Sequence, residues 1–123
     1  MELQKLEHNF TVCKVETTEQ VDFSREFVFL SKTDEEISLV CESEYVPSNA
    51  TASEAGWKGL RIVGVLDFGL VGVLAKIANI LAESGISIFA VSTYNTDYIF
   101  IKAIHFDKAI QTLTSNGYTL KCT

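Results

Sequence analysis

Several things are scarce or absent in these 123 residues, and each absence excludes something. No run of 18 or more uncharged apolar residues exists, so no stretch reads as a membrane span. The opening "MELQKLEHNF" is acidic and has no apolar core, so it does not read as a signal peptide. The three cysteines (Cys13, Cys41, Cys122) are odd in number, far apart and form no CxxC, which predicts reduced thiols in a cytoplasmic protein. In that compartment the Asn-x-Thr triplets at Asn9 and Asn49 are chance matches. Base is also in deficit: a net charge of −6 argues against nucleic acid or an anionic membrane as partner.

Catalytic pattern is missing too. No nucleophile has a histidine placed to activate it, no carboxylates pair, and there is no GxxxxGK[ST] phosphate loop. His8 and His105 have no cysteine or acid at ligand spacing, so no metal site is expected, and no cofactor. The chain reads as a binding or interaction protein rather than an enzyme.

What is present is a hydrophobic content of 47%, enough for a core. The charge is uneven. Residues 1–57 hold 12 acids against 4 bases, a net −8, and residues 58–123 hold 4 against 6, a net +2.

The C-terminal half is the more legible. "LRIVGVL" (residues 60–66) is a buried strand. Leu70, Val73, Leu74, Ile77 and Leu81 mark one face at helical spacing, and Gly85 stands where a left-handed cap belongs. "ISIFAVST" and "YIFIKAI" are strands joined by a short turn. "KAIQTLTSN" is a second helix capped by Asp107 and ended by Gly117, and "YTLKCT" is a last strand. The order is βαββαβ, a ferredoxin-like α+β arrangement.

The N-terminal half repeats it in worn form. "FTVCKV" answers "LRIVGV" at an offset of 50. "SKTDEEISLV" (31–40) answers "STYNTDYIFI" (92–101) at an offset of 61, which sets Glu36 beside Asp97. The 11-residue difference is about three helical turns, so the first copy has lost most of its first helix, and "TTEQVDFSR" makes a turn or so at best. "YVPSNATASEAG", with the one proline, reads as a linker followed by Trp57 at the join. The expected domains are 1–57 and 58–123. Phe89, Val91, Tyr98 and Phe100 give the second sheet an apolar outer face that needs a cover, either the N-terminal half or another chain in a homodimer.

Two motifs, "LDFGLVGVLA" and "GISIFAVSTYNTDYI", resemble the ACT domain, the small-molecule-binding regulatory module of amino-acid metabolism. Within that superfamily the chain is similar to short tandem ACT proteins related to the ACT repeats of cytosolic arginine sensors. The resemblance implies an amino acid bound at an interface between ACT units. The contacts would be the turn after the first strand and the second strand of a neighbouring unit. Members often carry a hydroxyl residue where this chain has Gly69 or Val71, so a side-chain contact from that turn is missing here.

The residues themselves offer a zwitterion trap. Asp97 can hold an ammonium, or simply fasten its hairpin. Asp67 can cap the first helix or meet a cationic group. The free N–H groups of Gly69, Leu70, Val71 and Gly72 can hold a carboxylate, or the glycines can serve close packing. Ser92, Thr93 and Thr96 add small polar groups at the strand end, where Asn95 is ordinary turn chemistry. A purely structural, ligand-free module remains the alternative.

Overall fold

The computed structural model describes residues 1–65 and 71–121. The chain divides into two compact units, one formed by His8–Trp57 and one by Met1–Glu7 with Lys58–Thr123.

In the second of these, the legible half folds as its periodicity predicts. Its elements are the end of strand β5 (Ala50–Ile62), helix α1 (Val73–Glu83), strands β6 (Ile88–Ser92) and β7 (Asp97–Lys102), helix α2 (Ala103–Ser115) and strand β8 (Thr119–Lys121). Ile77 and Leu81 of α1 and Phe106, Ala109 and Leu113 of α2 pack with Leu60, Ile62, Ile99 and Ile101 of the sheet. On β7 it is therefore the odd residues that face the helices, as alternation requires. Gly85 and Gly117 both have positive φ, 74° and 93°, and close the two helices. In each case a backbone N–H beyond the glycine turns back into the helix, from Ile86 to Leu81 O and from Tyr118 to Leu113 O.

Several boundaries differ from the prediction. The buried strand expected over 60–66 stops at Ile62, and Val65 is 74% exposed. Helix α2 begins at Ala103 with Lys102 at its N-cap, so Asp107 lies inside the helix and caps nothing. Phe106, buried at helical spacing from Ala109 and Leu113, draws this earlier turn into the helix. A further strand, β1 (Glu2–Lys5), pairs antiparallel with β5 (Leu3 opposite Ile62) and parallel with β8 (Leu3 opposite Leu120). The first seven residues thus belong with the C-terminal unit, where buried Leu3 joins the core.

The N-terminal unit carries strands β2 (Phe10–Val15), β3 (Val28–Lys32) and β4 (Ile37–Glu42), then a 3-10 turn (Ser43–Tyr45) and the first part of β5. The strand order is β3-β4-β2-β5. Residues 16–26 carry no helix, as the change of offset predicts. The second helix is also missing, replaced by the three-residue 3-10 turn. The expected linker is corrected: most of it is strand, with Ala50 opposite Val15 and Trp57 opposite Phe10. Residues 51–56 are all exposed, so their side chains carry no alternation that marks a strand. Cys13, Val15, Leu39 and Cys41 form a buried cluster, closed over by Val21 and Val46 from the segments that replace helices. Burial pushes the Cys41 thiol up to about 12, with the neighbouring Cys13 thiol adding to the effect.

Candidate functional site

The repeated hairpins can now be compared atom by atom. In one, Thr33 N donates to Glu36 O at 2.9 Å; in the other, Thr93 N donates to Thr96 O at 2.9 Å. The register pairs that close them are Lys32 with Ile37 and Ser92 with Asp97. The structural offset is therefore 60, not 61. Glu36 corresponds to Thr96, and Asp97 corresponds to Ile37. The two acids are not equivalents, because aligning them by charge slips the strands by one residue and turns every side chain to the wrong face.

The fastening is done by threonine in both. Thr33 Oγ1 accepts the N–H groups of Glu35 and Glu36 at 3.1 and 3.2 Å. Thr93 Oγ1 donates to Thr96 O at 2.8 Å. The buried Thr96 hydroxyl donates to Ile62 O at 2.8 Å, which ties the hairpin to the end of β5. Both hydroxyls are occupied within the fold. Asp97 is half-buried at the start of β7, and its carboxylate bonds to none of the described residues. Ser92 is exposed opposite it.

Asp67, Gly69 and Leu70 lie outside the described residues. The part of their turn that is described leads into α1. Val71 is 95% exposed, and Gly72, at φ 79°, is the N-cap of the helix. No side-chain cap bond is made at Gly72, and the first turn holds no acid. The leading amide N–H groups of α1 have no intrahelical acceptor and carry the positive end of the helix. They open on a cavity of about 240 Å³ lined by Val71, Gly72, Val73, Lys76, Asn116 and Tyr118, among others. Tyr118 belongs to the core, and burial raises its phenol above the ordinary value. None of Ser92, Thr93, Thr96 and Asp97 lines this cavity. Within the described residues, the two ends of the predicted trap do not share one cavity.

His8 is not isolated, contrary to its sequence spacing. It lies 3.1 Å from Glu26 and 3.6 Å from Glu42, residues that come together only through the N-terminal unit's strand pairing. The three are grouped closely enough to offer one atom each to a cation. Arg25, however, reaches the same Glu42 oxygen at 3.0 Å, and Phe27 N donates to the other at 3.2 Å. Glu42, 3% exposed, is thus satisfied by a guanidinium and a backbone amide, and the arrangement is an ion-pair network.

The ACT domain family model matches residues 52–115, just over half of the chain, and the chain belongs to the ACT family. A protein from Agobacterium tumefaciens is similar in structure at a TM-score of 0.87, with 24% identity over 99% of this chain and 92% of that one. A Vibrio cholerae protein of unknown function is similar at 0.76, with 25% identity over 90% and 85%. The regulatory subunit of aspartate kinase from Thermus thermophilus is similar at 0.64, with 10% identity over 92% and 95%, a likeness of fold alone. No curated protein matches. The family makes this a small-molecule-binding regulatory module, and no described helix is long and apolar enough to cross a membrane.

Proposed function

We propose that this protein is a non-catalytic amino-acid sensor, two ACT-like units in tandem with the N-terminal one degenerate, acting in the cytoplasm. The free amino acid lies with its α-carboxylate against the Gly69–Gly72 turn at the start of α1. Its ammonium lies against Asp97, beside Ser92. The observation that carries this reading is the uncapped start of α1, which opens on a small cavity. An uncapped helix N-terminus favours an anion. The state of Asp97 supports the other end: threonine fastens the hairpin, leaving the carboxylate without a structural bond among the described residues.

The hairpin does not line the α1 cavity, so Asp97 is supplied by a second copy of the chain in a homodimer. That agrees with the ACT habit of binding between units, and with the uncharged, β-branched edge strand β6. The test is a thermal-shift series with the twenty amino acids, read beside sedimentation. A ligand at 100 times its dissociation constant stabilises by about 2.7 kcal/mol. Asp97→Asn should weaken binding by roughly five- to thirty-fold with little change in the ligand-free melting temperature. No shift with any amino acid overturns the reading in favour of a ligand-free interaction module, and a monomer at high micromolar concentration overturns the shared site.

A further inference from the structure

The cavity at the start of α1 offers two separate places for negative charge. We infer that the site selects amino acids with a carboxylate side chain, the second carboxylate being held by Lys76 and the Tyr118 hydroxyl. This rests on the amino-acid reading above and narrows it to one ligand class.

The first place is the helix end itself, where Gly72 has no side-chain cap and the first turn has no acid. One α-carboxylate suffices to satisfy it. The second place is Lys76, exposed on the same cavity one turn further along. A lysine there is locally unfavourable, because the positive end of a helix repels a cation and favours Asp or Glu. Helix α1 carries the opposite of the favoured pattern, a cation with no acid near it, and Lys76 has no ion-pair partner among the described residues. A local rule broken without compensation inside the fold marks a functional position. An anion lying between the helix end and the ammonium relieves both charges at once.

Tyr118 is an independent sign. It is 8% exposed, it lines this cavity, and its hydroxyl bonds to none of the described residues. Its ring is held in the core while the unbonded phenol stays accessible at the cavity, where it can donate to a ligand carboxylate. The described lining residues include no acid. The volume, about 240 Å³, lies just below the range for drug-sized ligands and suits a small dicarboxylate rather than a nucleotide.

The experiment is isothermal titration of the full chain with L-aspartate, L-glutamate, L-asparagine and L-glutamine, after the twenty-amino-acid screen. Each amide has nearly the shape of its acid and lacks only the charge. One of the acids should bind roughly tenfold or more tighter than its amide. Lys76→Gln should abolish that ratio while leaving amide binding in place, and Lys76→Arg should keep it. Tyr118→Phe should reduce acid affinity several-fold. Amides binding as tightly as acids, or a ratio that survives Lys76→Gln, overturns the inference and leaves the amino-acid reading standing. Silence across all twenty amino acids overturns both.

Discussion

In the C-terminal unit, helices of 11 and 13 residues pack on the strands. In the N-terminal unit the corresponding stretches are a looped segment and a three-residue turn. Yet the hairpin geometry is the same, down to a threonine that closes each turn with one 2.9 Å backbone bond. The strand order also corresponds: β3-β4-β2-β5 in one, and β6-β7-β5 followed by β8 in the other, with β1 inserted before the last strand. What differs is the cover. The difference teaches that strand pairing and hairpin register can hold a sheet's pattern without covering helices, provided other apolar groups reach the exposed face. Val21 and Val46 do this for Cys13, Val15, Leu39 and Cys41. What the N-terminal unit lacks is an α-helix N-terminus like that of α1.

The largest test of this contrast compares two equally buried leucines, Leu81 in α1 at 0% exposure and Leu39 in β4 at 1%. Leu81→Ala should cost about 4 kcal/mol, because a helix wedged between sheet and neighbouring helix cannot move inward to fill the gap. Leu39→Ala should cost about 2–3 kcal/mol, because loop segments collapse more readily. Urea unfolding with an unchanged slope measures both. Equal losses would mean that the loops pack as rigidly as helices.

Alkaline pH should give an effect of intermediate size, arising first in the N-terminal unit. Burial raises Cys41 from 9.0 to about 12. The unfolded thiol therefore ionises before the folded one. Its stabilisation is complete below pH 9 and is lost progressively as pH rises toward 12. Tyr118 in the C-terminal unit is raised in the same sense but from 10.0, so its loss begins later. Melting temperature should thus fall above pH 9, and Cys41→Ala should lessen the early part of that fall, which buried Cys13 shares. A curve unaltered by the substitution would place the alkaline sensitivity outside this thiol pair.

The smallest effect concerns the turns. Thr93→Val removes a 2.8 Å hydroxyl-to-carbonyl bond and should cost about 1 kcal/mol. Thr33→Val removes only longer, exposed contacts, at 3.1 and 3.2 Å, and should cost about 0.5 kcal/mol. A reversed order in thermal melts would show that the turns are not doing the same work.

Much of the C-terminal unit was legible because its buried residues recur at helical or strand period: Ile77 and Leu81, then Ile99 and Ile101. The repeated hairpin was visible too, but its register was not. Charge similarity between Glu36 and Asp97 suggested one alignment, and only the paired strands reveal the other. The opening of β5 was illegible because "TASEAG" is exposed throughout and owes its conformation to pairing with β2. Strand β1 is too short to show a period, and His8, Glu26 and Glu42 meet only through long-range pairing. At the candidate site, the sequence marked the turn before α1, of which Val71 and Gly72 are described. That Lys76 and Tyr118 line one cavity is not legible in sequence, because a lysine on an exposed helix face looks like ordinary solvation and the tyrosine looks like core.

The placement of β1 sets an order of events during synthesis. It sits between β5 and β8, and its residue Glu2 pairs with Thr119, 117 positions later. The ribosome makes this strand before everything else in the sheet, yet one of its two neighbours emerges last. Until then the nascent chain has one flank of β1 unpaired, a sticky edge that must be shielded from other chains. Closure depends on a contact of very large sequence separation, which slows folding. The C-terminal unit is thereby given a long-range closing step in which β1 waits on β8.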